Sequence, residues 1–467
     1  MTDNLHSLAA ELPEGAVLGP DDDMSSYEQP WRGDRGAAAF VARPGTVEQL
    51  RSVVRWAVRH RVPFVTQGAN TGLVGASVPG ASGAVGVLST ARLLAPLDVH
   101  VADRAVTAGA GVLMSAVEEA VAPHGLELPV DLSADASLGG LVATNAGGCR
   151  VLRHGDVRQR LLGVQLVLAD DDATVLGDLR PLRKKNDTLR LTDLVVGSAG
   201  LLGVVTAATL ELSYRPAGRA TAFVLPAGPL PEVCAGLERR LGARLGAFEL
   251  VSGEALRLTV AHLDSVADPF PGQAPDLALL VEVEGDDAEN AESALVEALA
   301  DLEVLVEDAA VLPPARAWAL RHGISEALAV AGPVLGLDVS LPRAALEPAR
   351  AEAADVVRRA VPGAVLADFG HVGDGGLHLN VVLPEGYDVA AATALRHDVY
   401  ALVARHGGSF SAEHGLGPAN VGWWAAHEPS ASRAALARVK SALDPYGLLG
   451  TEALRAALTL DDAGGTT

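Results

Sequence analysis

The chain has 467 residues, with 36 Lys and Arg against 58 Asp and Glu and a net charge of −22. That balance argues against nucleic acid or an anionic membrane surface as a partner. Hydrophobic residues make up 49 %, enough for two or three domain cores, yet no apolar run reaches the ~18–20 residues of a spanning helix. Two cysteines, Cys149 and Cys234, form neither a disulfide framework nor a thiolate metal site. The N-terminal MTDNLHSLAAELPEG lacks a basic stretch before an apolar core, so no signal peptide is visible and a soluble cytoplasmic protein is the expectation.

AAAFVARP opens the ordered pattern as a short apolar run stopped by Pro44. Thr46 then caps a helix, with Gln49 three places on. Val47, Leu50, Val54, Ala57 and Val58 form one helical stripe through Arg59. RVPFVTQ and VGVLST read as strands on either side of GANTGLVGAS, and residues 112–123 read as a helix. A second glycine- and alanine-rich stretch fills 129–148. GVQLVLAD and LVVGSAGLLGVVTAATLEL read as further strands around a third glycine loop. To about Tyr214 the texture is βαβ, and Pro216 and Gly218 end it. From 219 to 405, strand-like runs (TAFVLP, LALLVEVEG, VLGLDVSLP, ADFGHVGDGGLHLNVVLP) alternate with amphipathic helices, an α+β pattern. SAEHGLGPANV is a loop and helix start, 431–443 a helix ended by Pro445 and Gly447, and DDAGGTT a disordered tail. No fixed-period repeat is present.

Glycine-rich turns let backbone N–H groups approach a pyrophosphate. None of the three loops is GxGxxG with an acid about 20 residues on, and none carries a Walker lysine. Each alone could be a tight turn; three together favour a large phosphate-bearing cofactor. HVGDGGLHLN brings chemistry of another kind. His378 and Asn380 share one face of a strand, and His371 can meet His378 across a hairpin. Two neutral imidazoles suit zinc, manganese or iron and need a carboxylate to complete the set. SAEHGLG supplies Glu413, followed by His414. In WALRHGISEALA, Arg321 and Ser325 lie four apart on one helical face. By spacing alone, Arg321 reads as a solvated surface charge.

QGANTGLVGASVP, LGGLVATNAGG and GSAGLLGVVT resemble the flavin loops of the vanillyl-alcohol oxidase / p-cresol methylhydroxylase family. Within it the chain is most similar to the D-2-hydroxy-acid dehydrogenase branch of D-2-hydroxyglutarate dehydrogenase, D-lactate dehydrogenase and glycolate oxidase, over roughly residues 30–450. The resemblance implies non-covalent FAD on Gln67, Gly68, Ala69, Asn70, Thr71, Gly72 and Ser77 of the first loop. The second loop would contribute Pro129, Asp131, Ser137, Gly140, Asn145 and Gly147, and the third Gly203 and Val205. It also implies a divalent metal, zinc before manganese or iron, on His371, His378 and Glu413. Asn380 would contact substrate, His414 would be the base, and Arg321 with Ser325 would hold the substrate carboxylate. The expected fold is α+β: a two-lobed PCMH-type FAD-binding domain over 1–215, a cap domain with an antiparallel sheet over 216–405, and a segment 406–460 that packs back on the FAD domain. Residues 461–467 are the tail.

The chain also departs from the branch. In VLGLDVSLP, Gly336 stands where the hydroxyglutarate enzymes carry a lysine for the distal carboxylate. A buried distal carboxylate without a cation is costly, so the expected substrate is lactate- or glycolate-like rather than a diacid. The usual GGNT is GANT with Ala69, GSEGTLG is GSAGLLG with Ala199 and Leu201, GYDL is TLRL from Thr188, and NPGK is GTEA from Gly450. The resemblance thus implies a metal-assisted, FAD-dependent D-2-hydroxy-acid dehydrogenase. A quinone, an electron-transfer flavoprotein or a cytochrome would take the electrons, and a homodimer is a compatible assembly. The alternatives are an oxygen-using oxidase of the same fold and a subunit-type flavoprotein with a weakened cofactor site.

Overall fold

The computed structural model describes residues 2–31, 33 and 35–459; the predicted tail 461–467 lies outside them. The described residues fall into two compact units. One holds the chain up to Ala146, Asp156–Arg215 and everything from His414 on. The other holds Gly147–Gly155 and Pro216–Glu413.

The first unit has two main sheets. In the four-stranded sheet, Ala38–Ala42 and Phe64–Gln67 flank Val85–Ser89 in parallel, and Val17–Leu18 adds an antiparallel edge. The crossover helix Val47–His60 forms as its pattern predicts. The Thr46 hydroxyl accepts the Gln49 N–H at the N-cap, and Arg61 ends the helix in the left-handed region. Its buried face includes Leu50, Val53, Val54, Trp56 and Ala57, each large side chain contributing on the order of 1.5–3 kcal/mol. Trp56 meets Phe40 edge-to-face at 5.3 Å.

The second sheet of this unit runs Leu97–His100, Ala105–Gly109, Val204–Glu211, Leu161–Val167, Val175–Asp178, wholly antiparallel. The βαβ texture therefore holds for the first lobe only. The run LVVGSAGLLGVVTAATLEL also differs from the strand expectation at its start. Leu191–Val195 is a short helix, and the strand begins at Val204. A brief apolar run fits either state by periodicity, and here the glycines from Gly197 on separate the two.

The second unit is built on a seven-stranded, wholly antiparallel sheet. Its order is Val306–Leu312, Gly218–Pro226, Leu277–Gly285, Leu245–Ser252, Val365–Gly370, Gly376–Val382, Val334–Ser340. Helices Gly253–His262 and Pro314–Ala331 pack together. Their apolar side chains share a core with Phe223, Val251, Ala367 and Phe369, and Cys149 lies in that same core. Outside Val334–Ser340 the chain returns as a bridge between Ser340 and Ser409. No helix among the described residues is long and apolar enough to cross a membrane.

Candidate active site

The hairpin Val365–Gly370 to Gly376–Val382 carries the histidines. The His371 carbonyl accepts the N–H groups of Gly375 and Gly376 at 3.0 and 3.1 Å, and the Asp374 carboxylate accepts Gly376 N–H at 2.8 Å. Gly375 sits at φ +89°, where a Cβ would stand 2.2 Å from the Leu341 carbonyl, so glycine is required. The turn brings the His371 and His378 rings to 5.3 Å at 84°. Register fixes the rest of the face. His378 lies between Phe369 and Asp338, and Asn380 between Ala367 and Gly336.

Each imidazole has a carboxylate behind it. His371 Nδ1 is 2.7 Å from Glu249 Oε1, and His378 Nδ1 is 3.5 Å from Asp338 Oδ1. Both Nε2 atoms then face one oxygen, Glu413 Oε1, at 3.8 and 3.5 Å. Donors sharing one ion at ~2.0–2.2 Å with tetrahedral angles stand about 3.4 Å apart, which the His378–Glu413 distance matches; ligand atoms of Asp338, His378 and Glu413 lie within 4.8 Å of one another, while that of His371 groups with Cys149 and Glu249. The Glu249 carboxylate hydrogen-bonded behind His371 is the usual means of fixing tautomer and ring orientation at such a centre. Asp338 also places Glu413, because its Oδ2 accepts the N–H of Ala412 and Glu413 at 3.0 and 2.9 Å. Glu413 Oε2 accepts Gly148 N–H at 3.3 Å.

Behind this face lies a buried charge cluster. Glu249 Oε2 accepts Arg321 Nε at 2.8 Å and pairs with Nη2 at 2.6 Å. Burial alone would raise the Glu249 carboxyl, but His371 and Arg321 outweigh it and hold it down to about 2. Burial opposes charge on His371 too, yet Glu249 and the neighbouring Cys149 and Glu413 raise its pKa well above the ordinary value. Arg321 lies over the Phe369 ring at 4.5 Å. It is buried, so the surface-charge reading of its spacing does not hold. Ser325, one turn on, is exposed and is not brought to the cluster. Asn380 is 3 % exposed, and no hydrogen bond to its side chain is found among the described residues. His414 follows Glu413 as the first residue of the other unit and is partly exposed.

Glu249, Asp338 and Cys149 were not singled out by sequence. For Glu249 and Asp338 a signal existed: one acid in each of the apolar runs LGAFELVS and VLGLDVSLP, where an acid on a buried strand needs a partner. Cys149 offered none.

The flavin-loop residues of the first unit meet one another. Gln67 Nε2 donates to the Tyr27 and Ser77 carbonyls, both at 2.9 Å. Ser77 Oγ donates to Asn70 Oδ1 at 3.0 Å, with Asn70 at φ +57°. Thr71 and Gly72 continue this loop. Ser137 Oγ accepts Ala69 N–H at 3.3 Å. A Cβ on Gly68 would stand 2.1 Å from that hydroxyl, and one on Gly140 would stand 3.2 Å from it. Asn145, at φ +54°, bridges Asp156 and the Arg158 N–H. The third loop joins at Ala199, whose N–H donates to the Ala143 carbonyl at 2.7 Å. It runs through Gly203 into the strand holding Val205, while Pro129 and Asp131 precede Ser137 on the second loop. Gly147 instead belongs to the second unit, where a Cβ on it would lie 3.5 Å from Glu413 Oε2. Three contacting loops of Gly, Ala, Ser and Asn, with backbone rather than bulk turned to their neighbours, suit a dinucleotide.

Two departures prove complementary. A Cβ on Gly450 would stand 2.5 Å from Leu201 Cδ2, so the glycine makes room for the leucine. Ala69 escapes strain because Asn70 takes the left-handed position. Ala199 does not, at φ +52°.

Comparison with known proteins agrees with this architecture. Residues 38–177 match the FAD binding domain family, and residues 232–452 match the C-terminal domain of FAD linked oxidases. The D-2-hydroxyglutarate dehydrogenase of Xanthomonas citri pv. viticola is 35 % identical over 96 % of each chain. The mitochondrial D-2-hydroxyglutarate dehydrogenase of Bos taurus is 34 % identical over 96 % of this chain and 82 % of its own. A mitochondrial protein of Schizosaccharomyces pombe, named as a candidate D-lactate dehydrogenase, is 33 % identical over 85 % and 78 %. Among solved structures, substrate-bound p-cresol methylhydroxylase superposes with a TM-score of 0.77 over 98 % of this chain and 96 % of its own, at 16 % identity, which speaks to the fold alone. Full-length likeness of this degree identifies the chain as an enzyme of the FAD-linked oxidase family, in its D-2-hydroxy-acid dehydrogenase branch.

Proposed function

We propose that the protein oxidises a D-2-hydroxy acid to the 2-oxo acid with FAD and a divalent metal. The observation that carries this is the pair of Nε2 atoms aimed at Glu413 Oε1, each imidazole backed by a carboxylate. Bound FAD supplies the acceptor for the C2 hydride, and a bound divalent ion supplies the charge that lowers the pKa of the C2 hydroxyl. His371, His378 and Glu413 hold that ion, with zinc the first choice for two nitrogens and one oxygen and manganese or iron also suited. Asn380, buried and without a hydrogen-bond partner among the described residues, gives its amide to the substrate. Arg321 provides the cation for the C1 carboxylate and shares its charge with Glu249. His414 accepts the hydroxyl proton. The flavin is held by the three loops from Gln67, Pro129 and Gly197.

The substrate class follows from Gly336, which flanks Asn380 and offers no charge. A lactate- or glycolate-like acid fits, and a second carboxylate there would be costly to desolvate. Arg396 donates to the Gly336 carbonyl at 3.5 Å. The test is anaerobic reduction of the purified flavoprotein by D-lactate, with and without prior chelation. Bleaching that chelation abolishes supports the reading, whereas bleaching indifferent to chelation removes the metal from it. A protein that takes up no FAD would favour the subunit-type alternative. Reduction faster with D-2-hydroxyglutarate than with D-lactate would overturn the monocarboxylate assignment, and loss of that preference in Arg396→Ala would name the compensating cation.

A further inference from the structure

Nine residues, Gly147–Gly155, belong to the second unit although the chain on both sides belongs to the first. They contact the histidine cluster repeatedly. Gly148 N–H reaches Glu413 Oε2 at 3.3 Å, the oxygen opposite the one that faces the imidazoles. The Cys149 thiol is buried, with its Sγ within 4.8 Å of a His371 ring nitrogen. Leu152 packs on the turn between the histidines, so that a Cβ on Gly373 would stand 2.6 Å from its Cδ2.

Buried charge holds the segment in place. Arg150 Nε and Nη2 grip the two Glu282 oxygens at 3.0 and 3.3 Å, and Trp318 Nε1 donates to Glu282 Oε2 at 2.7 Å. Two residues along the same strand face, Glu284 pairs with Arg153 at 3.0 Å and faces His154 Nε2 at 3.6 Å. Arg219 stands 3.7 and 3.6 Å from the two glutamates. Both glutamates are buried. A fork-to-fork guanidinium–carboxylate pair fixes position and angle as well as charge, so the segment has one seat on the sheet.

We propose that Gly147–Gly155 is a positioning strap for the metal ligands, anchored by Arg150. The Arg150–Glu282 pair sets where Gly148 N–H meets Glu413, and that contact turns Oε1 toward His371 and His378. This rests on reading the histidine cluster as a metal site. The test uses the full-length flavoprotein, stripped by chelation and titrated with cobalt(II). Affinity is read by competition with a chromogenic chelator, and ligand geometry by the visible cobalt bands. Loss of an outer-shell partner weakens metal binding by about 10- to 100-fold. Arg150→Met and Leu152→Ala are expected to fall in that range with displaced bands, Arg150→Lys between them and the parent, and bound FAD unchanged. Cobalt affinity and spectrum like the parent's in Arg150→Met overturn the strap. Should Arg150→Met fail to fold, Leu152→Ala decides by the same outcomes. A parent protein that binds no cobalt overturns the metal site itself, and the strap with it.

Discussion

Glu249 serves two donors at once, the His371 ring through Oε1 and the Arg321 guanidinium through Oε2. Removing it would strand the Arg321 charge in the core, a loss of about 3–5 kcal/mol for a broken buried pair. Glu249→Leu is therefore expected to lower the denaturant midpoint sharply, and chemical unfolding measures it. The residues proposed to act on substrate and metal should behave differently. His378→Ala removes a proposed metal ligand and should abolish metal-dependent turnover with stability close to the parent's. Asn380→Ala removes a buried amide that has no hydrogen-bond partner among the described residues, so the fold should be unharmed while kcat/KM falls; a thermal melt beside steady-state kinetics separates the two. The thiols give a pH test. Burial, then the Glu238 charge, pushes Cys234 up to about 12, and burial raises Cys149 as well. A raised thiol pKa stabilises the folded state fully below the ordinary value near 9 and is lost as pH climbs from there toward 12. Both cysteines should resist iodoacetamide at pH 8 in the native protein and react once it is unfolded.

At the scale of elements, the hairpin was legible because strand alternation and glycine are local rules. LHLNVV alternates, and HVGDGG has the composition of a tight turn. The helix Val47–His60 was legible for the same reason. What the sequence hid is long-range. Glu249 and Asp338 come from strands 122 and 40 residues from their histidines, distances set by the sheet order and not by any local pattern. The antiparallel second lobe and the short helix Leu191–Val195 depart from the local pattern for a related reason, since short apolar runs do not declare their pairing partner. Ala199 offers a check on the third loop. A left-handed alanine costs roughly 1–2 kcal/mol, against ~0.4–1 kcal/mol for the greater freedom of glycine in the unfolded chain. Ala199→Gly is expected to stabilise the protein by about 1 kcal/mol or less, read as a small rise in melting temperature with FAD bound.

For the whole molecule, each unit has its own sheets and its own apolar core, so unfolding need not be a single step. The loops assigned to FAD lie almost wholly in one unit, and His371, His378 and Glu413 in the other. Scanning calorimetry should therefore show FAD raising one transition and zinc the other, each by about 2.7 kcal/mol of stabilisation at a hundredfold excess over Kd. Equal shifts of both transitions by either ligand would show the units unfolding as one.

The chain passes between the units at four points, after Ala146, Gly155, Arg215 and Glu413. Modularity here is spatial without being genetic. A chimera that exchanges residues 216–413 with a relative's would import that relative's histidines and glutamates but keep the host's Gly147–Gly155. Donor Glu282 and Glu284 counterparts would then have to accept a foreign Arg150 and Arg153. Recombination between relatives is workable only when both pieces travel together, so two stretches separated by 60 residues of another unit are inherited as one working part.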